Sequence, residues 1–589
     1  ANLLIPNCLR SNLSYSPLAA LELNVNKYKT NNSMNKLIFS ICIAGTMFVQ
    51  QAIGQNKPDA ILSPRIVGIP PSDAFIGLSR MADGEIRHYN YGAHPEEDKP
   101  LYMSSNDNGL TWKKVYLPYE LTYADQCSPI SGEYIRLFCA NNKVYAMRTE
   151  GGLDGGRVVK LIDNKAGIMN KPPIFIRNGK RIVSGAHRTD RSGAYVYYSD
   201  DDGLTWKAST QVIAPPHVKG GFHQGIRWNH GAVEPTIVEL NDGRLWMIMR
   251  TAQDKHYQSF SSDGGETWSE ATPSPFYGTI TMPTLYKMTD GRLLFFWCNT
   301  TPLPELPTAN GVWDDVFTNR DALHVAISED DGKTWIGFRE LLLNGERNSK
   351  DFGTTRSGED KSVHQVQAVE IAPGKILVSA GQHKLCRKLL VFDVEWLYER
   401  ERTCDFSEGL ANWSAFRYYK GIVGHCCYNR QEAPLLTNHP DNPQHKVMRI
   451  GYTPNDSLVD DADGALWNFP ATRNGEVGMR IKLAEGSKPI QLILNDRWFN
   501  PTDSVAAAEG LYTISLSREY LGIKDNRWHD VVVKWEENKN ASVWIDNRKR
   551  HNVRYKNPTE HGVSYLHLLG GHTPDNTGVL IEKVYSKSR

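Results

Sequence analysis

Two side chains of opposite charge frame the most informative stretch of this chain. Glu234 leads the apolar run E-P-T-I-V-E-L, Arg250 ends the run L-W-M-I-M-R, and Asn241-Asp242-Gly243 stands between them. Two short apolar runs joined by Asp-Gly read as a hairpin, because glycine supplies the positive φ that tight turns need. A hairpin returns the chain to the end where it started, so Glu234 and Arg250 should share one edge. A carboxylate held there can move protons, and a guanidinium can grip an anion through two parallel N–H donors. Other runs end with similar chemistry: Arg148 and Glu150, His187 and Arg188, Asn299, and Gln382 and His383. His230 and His364 stand just ahead of apolar runs. Histidine is the usual acid or base near neutral pH, although a satisfied core histidine is its commoner use. A concave rim of Arg, His and carboxylate suits an anionic sugar.

The elements that must carry these residues repeat. The box S-x-D-x-G-x-T-W occurs at Ser105–Trp112, Ser199–Trp206, Ser261–Trp268 and Ser328–Trp335. Turn pairs recur more often, at Asp83-Gly84, Asn141-Asn142, Asn178-Gly179, Asp242-Gly243, Asp290-Gly291 and Pro373-Gly374, each between two apolar strands. Units of roughly 40 to 50 residues with four strands each are blades that bury their faces only against neighbouring blades. The expectation is an all-β chain: a six-bladed β-propeller over residues 55–401, with the charged edge where the innermost strands converge on the axis. A long insertion, Thr300 to Thr318, interrupts the fifth unit.

Ahead of the propeller, residues 1–33 read as a leader outside the native protein. Residues 34–54, MNKLIFSICIAGTMFVQQAIG, have the Lys, short apolar core and small residues of a secretory signal peptide, so the protein is expected to be secreted or periplasmic. No segment approaches the roughly 20 apolar residues of a membrane helix. Beyond Glu401 the boxes stop, and strands separated by turn clusters over residues 402–589 read as a β-sandwich. A formal charge of +1 and a pI near 7.7 remove the electrostatic argument for nucleic acid as a partner. The nine cysteines lack disulfide or zinc spacing, and neither a metal nor a cofactor is expected.

The four boxes, with E-P-T-I-V-E-L-N-D-G-R-L-W-M-I-M-R, resemble the Asp-box repeats of the sialidase superfamily. The run R-W-H-D-V-V-V-K-W from Arg527, followed by A-S-V-W-I-D, resembles laminin-G and concanavalin-like jelly-roll sandwiches. The first resemblance implies a glycosidase that holds a substrate carboxylate with three arginines, attacks with a tyrosine activated by a glutamate, and protonates the leaving group with an aspartate. Carried over by position, Glu234 matches the glutamate, Arg250 the second arginine and Arg320, in N-R-D-A-L-H-V-A-I-S, the third. The first arginine's position falls near Ala74, with Arg65 as a displaced substitute. His364 or Gln365 stands where the tyrosine is expected, and Asp98, beside Glu96 and Glu97, is offered as the acid. The site read from the sequence thus comprises Glu234, His187, His364 and Asp98 as catalytic groups, and Arg250, Arg320, Arg65, Arg188, His230 and Gln365 as substrate-binding groups. The implied function is a secreted exo-glycosidase acting on a terminal α-linked acidic sugar of a glycan. A histidine-based lyase acting on uronate polysaccharides and a non-catalytic glycan-binding protein are the competing readings.

Overall fold

The computed structural model describes residues 63–71, 77–89, 101–116, 126–152, 157–220, 225–227, 231–278, 280–301, 320–349, 362–382, 386–418, 430–432, 435–452, 463–571 and 573–589. Residues 1–54, expected from the sequence to hold a leader and a signal peptide, nearly all of the Thr300–Thr318 insertion, the Glu96–Asp98 run, His230 and His383 lie outside the described residues.

Six four-stranded antiparallel sheets follow one another along the chain, one per blade. The first strand of each lines the axis, as contacts between first strands show. Gln367 Oε1 accepts the N–H groups of Gly77 (2.6 Å) and Leu78 (2.7 Å), joining blade six to blade one. Thr236 Oγ1 accepts the Leu285 N–H at 2.9 Å, joining blade four to blade five. The second strands of blades three and four are sandwiched between neighbouring blades, and Arg181–His187 and Leu245–Arg250 are buried along their whole length.

Each box is a closed hydrogen-bond unit. In the third, Ser261 donates to Asp263 (2.7 Å), Gly265 N–H to Ser261 (2.8 Å), Thr267 N–H and hydroxyl to Asp263, and the Trp268 indole to Gly265 O (3.2 Å). The box glycine then meets the preceding blade. Gly332, at φ +80°, would place a Cβ 2.4 Å from Cζ3 of Trp246. Gly332→Ala therefore combines positive-φ strain with overpacking, and a loss of about 2–4 kcal/mol is expected in denaturant titration.

Two features depart from the sequence reading. In blade two the innermost strand is the short Gln126–Cys127, turned at Gly132, so Asn141-Asn142 joins the second and third strands, Tyr134–Ala140 and Lys143–Thr149. Arg148 and Glu150 consequently end a third strand, on the far side from the rim, where Arg148 pairs with Asp202 of the next blade's box (3.3 Å) and with Glu133. The turn of blade two carries no Asp-Gly, which is why Asn-Asn was read in its place. The second departure is the outermost strand of blade six. It is Arg65–Gly68, from the start of the described chain, paired antiparallel with Lys388–Asp393. That strand closes the ring.

Beyond residue 401 two antiparallel sheets, of eight and five strands, face each other over a core that includes the stacked pair Trp413 and Trp467 with Phe469 and Trp535. The five-stranded sheet packs on the outermost strand of blade five, Ile336–Leu343. Asn468 satisfies that edge as a further strand would: its Oδ1 accepts the Glu340 N–H (3.1 Å) and its Nδ2 donates to Phe338 O (3.0 Å). Ala322, Leu343, Phe416, Leu466, Trp498 and Tyr565 form the apolar contact. A buried chain crosses it, in which His324 Nδ1 accepts the Asn299 N–H (3.1 Å), Nε2 donates to Tyr565 Oη (2.5 Å), and Tyr565 donates to Glu340 (2.8 Å). The sandwich thus covers an edge that would otherwise present unpaired backbone.

Candidate functional site

The rim where first strands begin and second strands end collects the charged groups. Glu234 sits in a β-bulge, the register shifting between Val233 and Thr236, with φ +50°. A non-glycine residue in the left-handed region is costly, and such strain persists where surrounding structure imposes it, often at functional sites. Here the bulge re-aims the side chain. Arg250, ending the paired strand, donates from Nη1 to Glu234 Oε2 at 3.0 Å, and the Glu234 N–H donates to His187 Nδ1 at 3.2 Å. The accepting role of Nδ1 places the proton of neutral His187 on Nε2.

Burial opposes ionisation of Glu234, but Arg250, His187 and Arg320 outweigh it and hold the carboxyl below its ordinary range. Burial pulls the His187 imidazole down to about 4. Arg250 is lowered to about 10 by burial against the attraction of Glu234. Arg250→Met would leave Glu234 buried without its ion-pair partner, and a loss of about 3–5 kcal/mol is expected, read by chemical denaturation.

Arg320 precedes the third strand of blade five and reaches the same rim, its guanidinium donating to Ile280 O while its own carbonyl accepts the Val363 N–H at 2.9 Å. His364 follows directly. It is fully buried, neither ring nitrogen has a hydrogen-bond partner among the described residues, and burial with the nearby Arg320, Arg250 and Lys171 charges holds it neutral. Gln365, at φ +67°, keeps an unpartnered Oε1 beside it. Lys171 and Arg191 complete the cluster, and the sequence reading missed both. Arg191 acts electrostatically on His187 and Arg250 and is itself drawn to Glu234. Lys171 precedes Pro-Pro and the first strand of blade three, Ile174–Ile176. The signal that singled out Glu234, a charge leading an apolar first strand, was available for Lys171 too.

Glu234, Arg250, Arg320, His187, His364 and Gln365 are therefore brought to one rim. Arg65 is not: it lies exposed on the outermost strand of blade six, as far from the axis as a strand can be. Arg188 is also withdrawn, because it pairs with Asp163 (3.0 Å) of blade two's outermost strand and stacks 4.2 Å from the Tyr195 ring centroid. Asn299 faces the sandwich, donating to Asp496 O at 2.9 Å. Asp98 and His230 are outside the described residues. Among the described residues no three His, Cys, Asp or Glu side chains gather as a metal site. Among them, too, no helix is long and apolar enough to cross a membrane.

Residues 158–360 match the BNR repeat-like domain family, spanning three of the four boxes, the strands that carry Glu234 and Arg250, and Arg320. The matched stretch of the propeller is thus built of BNR-like repeats. Solved structures similar to this chain include a Trypanosoma rangeli sialidase in complex with sialic acid, at 13% identity, covering 90% of this chain and 91% of the other, with a TM-score of 0.32. Another is a protein of unknown function from Dyadobacter fermentans, at 16% identity, covering 56% of this chain and 98% of the other, with a TM-score of 0.34. In this propeller the boxes stay on the periphery of the blades and the charged cluster lies toward the axis.

Proposed function

We propose that this protein is a secreted exo-glycosidase that hydrolyses a terminal α-linked acidic sugar, sialic acid or a related keto-acid or uronic acid, from glycans. The observation that carries this reading is the rim itself: an ionised Glu234, strained into place by a bulge and gripped by Arg250, among Arg320, Lys171 and Arg191. An excess of cations over the single carboxylate attracts an anion, and the carboxylate supplies a base beside it. Arg320 and Lys171 orient the substrate's acid group, and Glu234 takes the proton of the attacking group. His364, neutral and unpartnered, stands where the attacking or proton-accepting group is expected. Asp98 is retained as the proposed acid that protonates the leaving oxygen.

The second reading, a lyase acting on uronate polysaccharides, is favoured by one specific feature. His187 and His364, both held neutral, lie with Glu234 and Arg250 rather than apart from them, and a neutral imidazole can abstract a proton α to a carboxylate that arginines have neutralised. The two readings separate in one assay. The protein is incubated with α-sialosides and with uronate-rich polysaccharides, and products are followed by reducing-sugar release and by ultraviolet absorbance. Free acidic sugar without absorbance supports hydrolysis; an absorbing unsaturated product supports elimination; no product from either class removes both.

A further inference from the structure

Lys171 reaches across the ring. It leaves the start of the first strand of blade three, and its Nζ donates to Thr284 Oγ1 (2.5 Å) at the start of blade five's first strand. It also donates to Val366 O (3.1 Å), just ahead of blade six's first strand. Thr284 Oγ1 donates in turn to Val366 O at 3.2 Å, so three blades meet at one ammonium group. Both partners of the ammonium are neutral. Among the described residues no carboxylate lies within ion-pair distance of it, and Glu234 acts on it only at longer range. Taking a cation out of water without a counter-ion is expensive, and the cost is offset when an anion arrives. A second, independent feature points the same way. His364, two residues before Val366, is fully buried with both ring nitrogens unpartnered among the described residues, a hydrogen-bonding capacity that these residues leave unused.

We infer that Lys171 and His364 form an anion subsite at the propeller axis, in which the Lys171 ammonium binds the carboxylate of an acidic sugar and His364 donates to or accepts from its polar edge. The inference rests on the acidic-sugar reading above and adds to it the residue that holds the acid group. Facing Lys171 are Thr284 from blade five, Val366 and His364 from blade six, and Glu234 from blade four, with Arg250 and Arg320 behind His364. Burial pushes the Lys171 amine down to about 7, with Glu234 opposing the shift. The amine is thus charged below neutrality and loses its proton above it. A bound carboxylate holds the proton on, so affinity for the acid should fall about tenfold per pH unit above pH 7.

The test is calorimetric titration of N-acetylneuraminic acid and glucuronic acid, each beside its neutral methyl ester, into the full-length protein between pH 6 and 9. Wild type should prefer an acid over its ester by at least about tenfold at pH 6 and lose that preference with rising pH. Lys171→Met should abolish the preference and flatten the pH dependence, whereas Lys171→Arg should keep the preference and flatten only the pH dependence, because arginine does not titrate in this range. Lys171→Arg also serves alone if the methionine variant does not fold: an arginine variant that keeps the wild-type pH slope overturns the inference. So does a folded Lys171→Met that keeps both preference and slope, and in that case the acidic-sugar reading survives. Wild type that discriminates neither acid from its ester overturns the inference together with the reading beneath it.

Discussion

Glu234→Gln is expected to lower turnover of the acidic-sugar substrate by about 10³-fold while leaving the propeller folded. The substitution keeps shape and leaves an amide oxygen that can accept from Arg250, so the bulge and the Glu234 N–H bond to His187 survive. It removes the charge. A neutral amide neither takes a proton nor offsets Arg250 and Arg320, so kcat should fall far more than KM rises. Because the amide oxygen still accepts from Arg250, the loss should be about 1–3 kcal/mol, below that of Arg250→Met, visible as a lower melting temperature but not as unfolding. The check is steady-state kinetics with calorimetry on the same preparation. A variant with wild-type kcat would remove Glu234 from the chemistry and leave it a structural partner of Arg250. Because interactions in the native state keep the Glu234 carboxyl below its ordinary range, its contribution to stability is complete above the ordinary carboxylate pKa. It is lost as pH falls through the lower folded value.

The protein is also expected to unfold sharply in mild acid. Seven histidines, the buried His88, His187, His256, His324, His364 and His567 and the partly buried His561, are held neutral, all chiefly by desolvation. His88, His256 and His324 fall to about 3, and His187, His561 and His567 to about 4. In the unfolded chain each takes up its proton near 6.5. The folded values are lower, so the unfolded state binds more protons as pH drops, and stability is fully present above about 6.5 and lost on the way down. At one pH unit below 6.5 each histidine costs about 1.4 kcal/mol, and together they cost on the order of 10 kcal/mol, comparable with the whole stability of an ordinary domain. Glu340 and Asp463, whose carboxyls burial pushes up, act in the opposite sense, but only from their own lower range. Tryptophan fluorescence at 25 °C should show an acid midpoint between about pH 5 and 6. A melting temperature that stays level from pH 7 to pH 5 would contradict this, and the histidine-to-glutamine change at position 324, in the sandwich contact, should move the midpoint to lower pH.

What the sequence made legible was whatever local chemistry repeats. The boxes announce themselves because every one needs the same Ser, Asp, Gly and Trp to close its turn, and five of the six innermost turns carry the pairs that positive φ requires. Glu234 and Arg250 could be placed together because a hairpin is a local device. Blade two escaped because its innermost strand has two residues and its turn uses Gly132 without a preceding Asp. The outermost strand of blade six escaped because its partner is remote, and nothing in R-I-V-G says which edge it will join. Arg65 was consequently read as a rim residue. Arg188 was misplaced for a different reason: the strand end was right, but Asp163 on the neighbouring blade draws its guanidinium outward. Lys171 was overlooked because Glu234 drew attention as a carboxylate, although a lysine leading a first strand obeys the same geometry. The docking of the sandwich through Asn468, Tyr565 and Trp498 leaves no sequence pattern, since each of these would be equally at home in a core.

Ring closure by Arg65–Gly68 makes the order of synthesis matter. Its hydrogen-bonding partner, Lys388–Asp393, is translated about 330 residues later, which at 5–20 residues per second means a wait of roughly 15 to 65 s. Through that interval blades one to five can assemble against one another, but the circle stays open and blade one offers an uncovered face. A waiting strand of only four residues is a poor template for pairing with another nascent chain. Its brevity is thus suited to the delay, and the last stitch of the propeller is made by the earliest of the described strands.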